Sequence, residues 1–189
     1  LRLLELSKKW EIDIHKLKPI ELRWKLEQEF LKTKCMTVMK NDTWDHFDNY
    51  LQYLAEEKNI EIFGLETNKK QLNLINKEAN FPNWKDERKR ISYLLDQFNR
   101  DDFNKNKCSL AVKYRNYNLD YKLNEACKPD VLLKERNGNW INILPQLLKE
   151  NNCFIAVGLF HLYHKCGLLE QLKEEGFLIE PIELEPAGK

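Results

Sequence analysis

Asn152-Cys153-Phe154-Ile155-Ala156-Val157-Gly158-Leu159-Phe160-His161-Leu162 decides how this chain is read. An apolar run rich in β-formers ends in Gly-x-x-His. An amphipathic stretch with Leu168, Leu169 and Leu172 follows, then a second apolar run from Phe177 to Leu184. Strand, helix, strand is the pattern of an α/β fold. It predicts His161 at the carboxyl end of a buried strand, where ligand sites of open α/β sheets lie. Gly158 removes a side chain where the backbone leaves that strand, so the imidazole three residues later can reach over the strand ends. A neutral imidazole there can bind a divalent metal or act as an acid or base.

The expectation grows outward from this segment. Gly176 is expected to end the 168–172 helix as a left-handed cap, and Pro181 marks 177–184 as an edge strand. Upstream, Arg136-Asn137-Gly138-Asn139-Trp140 reads as a polar turn, and Pro145 sits in the first turn of a helix carrying Leu144, Leu147 and Leu148. Asp130 is a candidate cap for Val131-Leu132-Leu133, after Pro129 has broken the preceding helix. Ile60-Glu61-Ile62-Phe63-Gly64-Leu65 reads as another strand. Glu66-Thr67 follows it, and Asn68 and Gln71 have capping-box spacing before a helix through Leu72 and Ile75.

The start and middle read as helical. Leu3, Leu4, Leu6 and Trp10 open one amphipathic stretch, and Pro19 begins another with Leu22, Leu26 and Phe30. Asp42 or Thr43 is expected to cap a helix whose inward face is Trp44, Phe47, Leu51 and Leu54. Ile91, Leu94, Leu95 and Phe98 make one narrow stripe, 99–107 an exposed loop, and 109–126 a further helix. The fold class is thus α/β: a small sheet with flanking helices and a largely helical N-terminal and middle segment. Residues 1–189 read as one domain, with 1–58 and 81–127 mainly helical and 60–79 and 130–184 as the α/β core.

Composition bounds the function classes. In 189 residues, 42% hydrophobic content with five Trp, nine Phe and seven Tyr is enough for a core. Thirty-one basic and 30 acidic residues interleave to a net charge of +1, which gives no ground for a nucleic-acid partner. No stretch approaches about 18 uninterrupted apolar residues, so no transmembrane segment is expected. The cysteines are Cys35, Cys108, Cys127, Cys153 and Cys166. Cys153 reads as a small buried residue, and the spacing of the others allows one disulfide without choosing the pair. The chain opens Leu1-Arg2-Leu3 without Met and reads as a processed or excised piece. Phosphate-cradling and Gly-x-Ser-x-Gly signatures are missing.

Other candidate chemistry is sparse. Glu66 follows a strand beside a helix start, where a carboxylate can ligate a hard cation or bind a positive group. Arg136 can hold a carboxylate or oxyanion through two parallel contacts. His161-x-x-His164-x-Cys166 resembles a run of soft ligands but lacks the second ligand pair that zinc sites use.

Three blocks together resemble the TraB/PrgY/GumN family, which is related to the Tiki proteins. They are Phe47-Asp48-Asn49-Tyr50-Leu51 through Gly64-Leu65-Glu66-Thr67 to Gln71-Leu72; Arg136-Asn137-Gly138-Asn139-Trp140; and Val157-Gly158-Leu159-Phe160-His161-Leu162 through Gly167-Leu168-Leu169 to Gly176-Phe177 and Pro181. The likeness covers roughly residues 45–184. It implies an α/β core with two Gly-x-x-His motifs and a metal-dependent hydrolase, possibly a metalloprotease, acting on a peptide or protein. By that likeness His161 and Glu66 are metal ligands. Glu66 is also a ligand or general base, and Arg136 stabilises developing negative charge. Gly158, Asn137, Trp140 and Gln71 are further motif positions. The implied cofactor is a divalent metal, and the implied location is exported or periplasmic. Leu159 and Phe160 stand where the family has smaller or more polar residues. The first Gly-x-x-His has no counterpart here and is expected upstream of Leu1, so the chain corresponds to the carboxyl-terminal two-thirds of the domain. The alternative is a non-catalytic binding or regulatory module that uses its helical surface.

Overall fold

The computed structural model describes residues 2–8, 10, 12–38, 41–44, 46–79, 83–127 and 131–182. Its helices are α1 (Arg2–Ser7), α2 (Pro19–Thr33), α3 (Phe47–Glu57), α4 (Asn68–Ala79), α5 (Trp84–Asn99), α6 (Ser109–Arg115), α7 (Val131–Ile141), α8 (Leu144–Glu150) and α9 (Leu168–Glu174). The chain forms two compact units. Unit 1 is Leu1–Asp42 with Asn76–Leu119, and unit 2 is Thr43–Ile75 with Asp120–Lys189.

Unit 1 is organised by α2 and α5. Pro19 starts α2 with its φ preset, and the Glu21 carboxylate accepts the Lys18 backbone N–H at 2.7 Å. Asp86 and Glu87 occupy the first turn of α5, where the helix dipole favours negative charge. Leu26 and Phe30 on α2 meet Ile91, Leu94 and Phe98 on α5, as the apolar spacing predicts. Phe30 packs edge-on to Phe98 and Phe103 at 5.3 and 5.6 Å between ring centres. A disulfide joins Cys35 to Cys108 beside this cluster. The buried Glu87 is paired: Arg23 Nε donates to it at 2.6 Å and Arg90 Nη1 at 3.3 Å. The helix expected over 109–126 stops at Arg115. Asn118 N–H closes onto the Lys113 carbonyl, and Tyr117 takes a left-handed φ of 54°.

Unit 2 corrects the predicted α/β class. Among the described residues there is no strand and no sheet. Residues 60–65, 154–157 and 177–182, read as strands from their apolar runs, form no backbone ladder. Exposure does alternate along 154–160 and 177–180. Leu65, Ile155, Val157, Phe177 and Ile179 lean on a core of Trp140, Leu144, Leu168 and Leu172. Their neighbours face out, with Phe154 82% and Leu178 85% exposed. Period-two patterning turns one face of a segment inward; it does not supply a pairing partner.

Several local expectations change as well. Arg136–Trp140 is not a turn but lies inside α7, so Arg136, Asn137 and Trp140 share one helix face at 0, +1 and +4. α3 begins at Phe47, not at Asp42 or Thr43, and buries none of its residues; Phe47 is 68% exposed. Thr67, one residue before the expected cap, accepts the Lys70 N–H at 3.3 Å. Cys153 is exposed, and a second disulfide joins Cys127 to Cys166. The expected cap Asp130 and breaker Pro129 lie outside the described residues, as does the end of the 177–184 run. Pro145 does stand in the first turn of α8. Gly176 has φ +88°, with the Phe177 N–H reaching back to the Leu172 carbonyl, the expected left-handed cap.

Candidate functional site

The site is assembled in unit 2 from α7, the bend at Glu66 and a 3₁₀ turn over Leu159–Leu162. Gly158 precedes that turn, and its carbonyl accepts the His161 N–H at 2.9 Å. Gly158 has φ −60°, which any residue can adopt. What the glycine spares is space: a Cβ there would rest on the imidazole Cδ2 at 3.6 Å. Cδ2 is bonded to Nε2, so Gly158 sets no side chain against that side of the ring. Gly167 is needed for another reason. A Cβ there would stand 2.5 Å from the Leu162 carbonyl oxygen, so only glycine lets α9 start this close to the His161 turn.

Asn137 determines the state of His161. It is 2% exposed, and its Nδ2 donates to two backbone carbonyls, His161 O at 3.1 Å and Cys166 O at 2.8 Å. Turning the amide over would set an oxygen against two oxygens, so Oδ1 must be the atom 2.6 Å from His161 Nδ1. That contact requires a proton on Nδ1. In the neutral ring Nε2 then carries the lone pair, and it meets no partner among the described residues. Burial lowers the His161 pKa to about 4, with the nearby Arg136 cation adding to the effect. The imidazole is therefore neutral at pH 7, its tautomer set, at 5% exposure.

The other expected residues join through α7. Arg136 grips Glu66 with both arms, Nη2 to Oε1 at 2.6 Å and Nε to Oε2 at 3.2 Å. The Arg136 guanidinium lies 4.8 Å from the Trp140 ring centre, and the Trp140 ring lies 4.4 Å from that of His161. Glu66, Arg136, Trp140, His161 and Asn137 thus form one chain of contacts. The Trp140 indole N–H is buried in it with no acceptor among the described residues. Gln71 sits in the first turn of α4, and no contact joins its side chain to this chain among the described residues. Cys166 is consumed in a disulfide, which removes it from the His161-x-x-His164-x-Cys166 ligand run.

Sequence reading named Asn137 and Trp140 as motif positions but missed what they do. The signal was present in the helical spacing of 136, 137 and 140, hidden by Asn-Gly-Asn, which favours turns.

Residues 4–181 match the model of the TraB/PrgY/gumN family, most of the chain, and the chain belongs to that family. No curated protein and no solved structure matches it.

The metal implied for such a site can be tested against these donors. His161 offers one nitrogen. Glu66 has both oxygens engaged by Arg136, and no group of three or more His, Cys, Asp or Glu among the described residues converges to hold an ion. A hydrolytic zinc takes about three protein ligands. The described residues alone do not fit a metal.

Proposed function

We propose that this chain carries one part of a hydrolytic centre for a peptide or protein substrate, with His161 as its working side chain. The observation that supports this most is the Asn137 contact, which leaves Nε2 as a lone-pair nitrogen without a partner among the described residues. A pKa near 4 also sorts the roles. Such a nitrogen is a weak proton acceptor at pH 7, yet no proton competes for its lone pair, which suits a ligating or hydrogen-bond-accepting role. Glu66, neutralised by Arg136, is better suited to holding Arg136 on Trp140 than to acting as a base. Since the described donors do not fit a metal, the reading needs further donors beyond them, and no step is routed through an ion. The two disulfides support the expectation of an oxidising, exported location.

The test is peptide hydrolysis by the full chain, with and without added divalent ions, for the parent and His161→Ala. Loss of a working side chain should lower turnover by about 100-fold or more while circular dichroism is unchanged. Full activity in the variant refutes the role.

A second reading has its own support. On α3 and the segment before it, Trp44 contacts Tyr50 and Tyr53, and Phe47 contacts Tyr50, yet α3 buries nothing. An exposed aromatic face of this kind suits a docking module. Absent hydrolysis, together with partner binding lost in Phe47→Ser, would replace the first reading by this one.

A further inference from the structure

We propose that a cavity of about 410 Å³ in unit 2, whose lining includes Asn137 but not His161, binds a small organic monocarboxylate with an aromatic or branched apolar body. The volume falls within the range of small-molecule sites.

The walls argue for the apolar body. Leu133, Phe160 and Tyr163 line the cavity. Phe160 and Tyr163 stand 5.7 Å apart, centre to centre, and Tyr121 backs Tyr163 edge-on at the same separation. Phe160 is half exposed, so its ring is available to an apolar body in the cavity.

The charges argue for a single negative group. Two lysines line the cavity, Lys122 and Lys134. Lys122 is already held by Glu125 at 2.9 Å. Lys134 meets no anion among the described residues. One uncommitted cation matches one carboxylate, whereas a dianion would face Glu125 and Asp120 nearby. His164 also lines the cavity, and its buried Nδ1 has no hydrogen-bond partner among the described residues, lying 3.8 Å from Glu125 Oε2. The Tyr163 hydroxyl is held neutral, as burial and the neighbouring Tyr121 raise its pKa.

The backbone argues that the cavity is built rather than incidental. Two of its lining residues, Lys122 and His164, take left-handed φ values of 54° and 65° without being glycine. Such strain persists only where the surroundings over-determine it, and it gathers at ligand clamps. Here the surroundings are explicit. His164 N–H donates to Tyr121 O at 3.0 Å, Lys165 N–H to Glu125 O at 3.2 Å, and Cys127–Cys166 locks the same two segments together. Cys166, a wall residue, is held again through its carbonyl by Asn137 and by Gln171 at 2.6 Å. The slot is preorganised before any ligand arrives.

The test uses the full chain and three probes that share a 2-(4-fluorophenyl)ethyl body: 3-(4-fluorophenyl)propionate, its isosteric primary amide and 4-fluorophenethylamine, titrated by fluorine NMR. The carboxylate should saturate and bind about tenfold more tightly than either other probe. Lys134→Met should remove about fivefold of that preference, and Phe160→Ala should weaken carboxylate and amide alike. Lys69→Met, an exposed lysine on α4, should change nothing. Both test residues are exposed, so circular dichroism of the variants should match the parent. Absence of saturable binding, equal affinity for the amide, preference for the amine, or an equal loss in Lys69→Met would each overturn the proposal.

Discussion

Unit 1 and unit 2 are built from similar numbers of residues but obey local rules to different degrees. In unit 1 the apolar stripes of α2 and α5, both read from the sequence, find each other. Leu26 and Phe30 meet Ile91, Leu94 and Phe98, and the buried acid Glu87 is held by two arginines. In unit 2 the segments expected as strands show apolar residues to solvent, while left-handed non-glycine backbone (Met36 and Tyr117 in unit 1, Asn59, Lys122 and His164 in unit 2) and buried polar atoms without a partner among the described residues occur in both units. Unit 2 is also the unit that holds His161, Asn137, Arg136 and Glu66. The contrast is between a core set by two local apolar stripes and one assembled from distant segments.

Leu26→Ala should be the largest single blow to this contrast or its best support. Leu26 is fully buried, so the variant should lose about 3 kcal/mol in urea unfolding, while Phe154→Ser on the exposed side of unit 2 should stay within about 0.5 kcal/mol. Equal losses would mean that Phe154 is covered in solution.

Acidification should then act on unit 2 through His161. Its folded pKa of about 4 lies below the ordinary 6.5, so between those values the unfolded chain binds more protons. Its contribution is complete above pH 6.5 and is lost as pH falls toward 4, amounting to at most roughly 3 kcal/mol. Denaturation midpoints across that range should slope for the parent and flatten for His161→Gln. An unchanged slope in the variant would place the titration elsewhere.

Gly158→Ala should give the smallest change in stability and the sharpest test of the space beside His161. With φ at −60° and the new methyl at van der Waals distance, stability should move by no more than about 0.5 kcal/mol. The methyl would sit on Cδ2 of His161, so acylation of that imidazole by diethyl pyrocarbonate should slow several-fold. Parent-like reactivity would mean that the glycine does not govern access to the ring.

Much of the helical framework was legible because its causes are local. Pro19, the stripe at 91, 94 and 98, Pro145 and Gly176 act within a turn or two of themselves. The sheet failed for a complementary reason. An apolar run rich in β-formers says that a segment will meet a core, whereas a ladder is a pairing between distant segments that the run does not specify. Arg136 to Trp140 was misread because Asn-Gly-Asn favours turns, and packing of α7 against α9 and the His161 turn overrode that preference.

By itself the sequence determined the family and those helix boundaries set by Pro19, Pro145 and Gly176, because short-range backbone preferences and a rare residue pattern are written in adjacent letters. Only the tertiary structure decided that Asn137 sets the tautomer, that Arg136 occupies Glu66, and which cysteines pair. Each of these depends on groups at least 24 residues apart, brought together by burial.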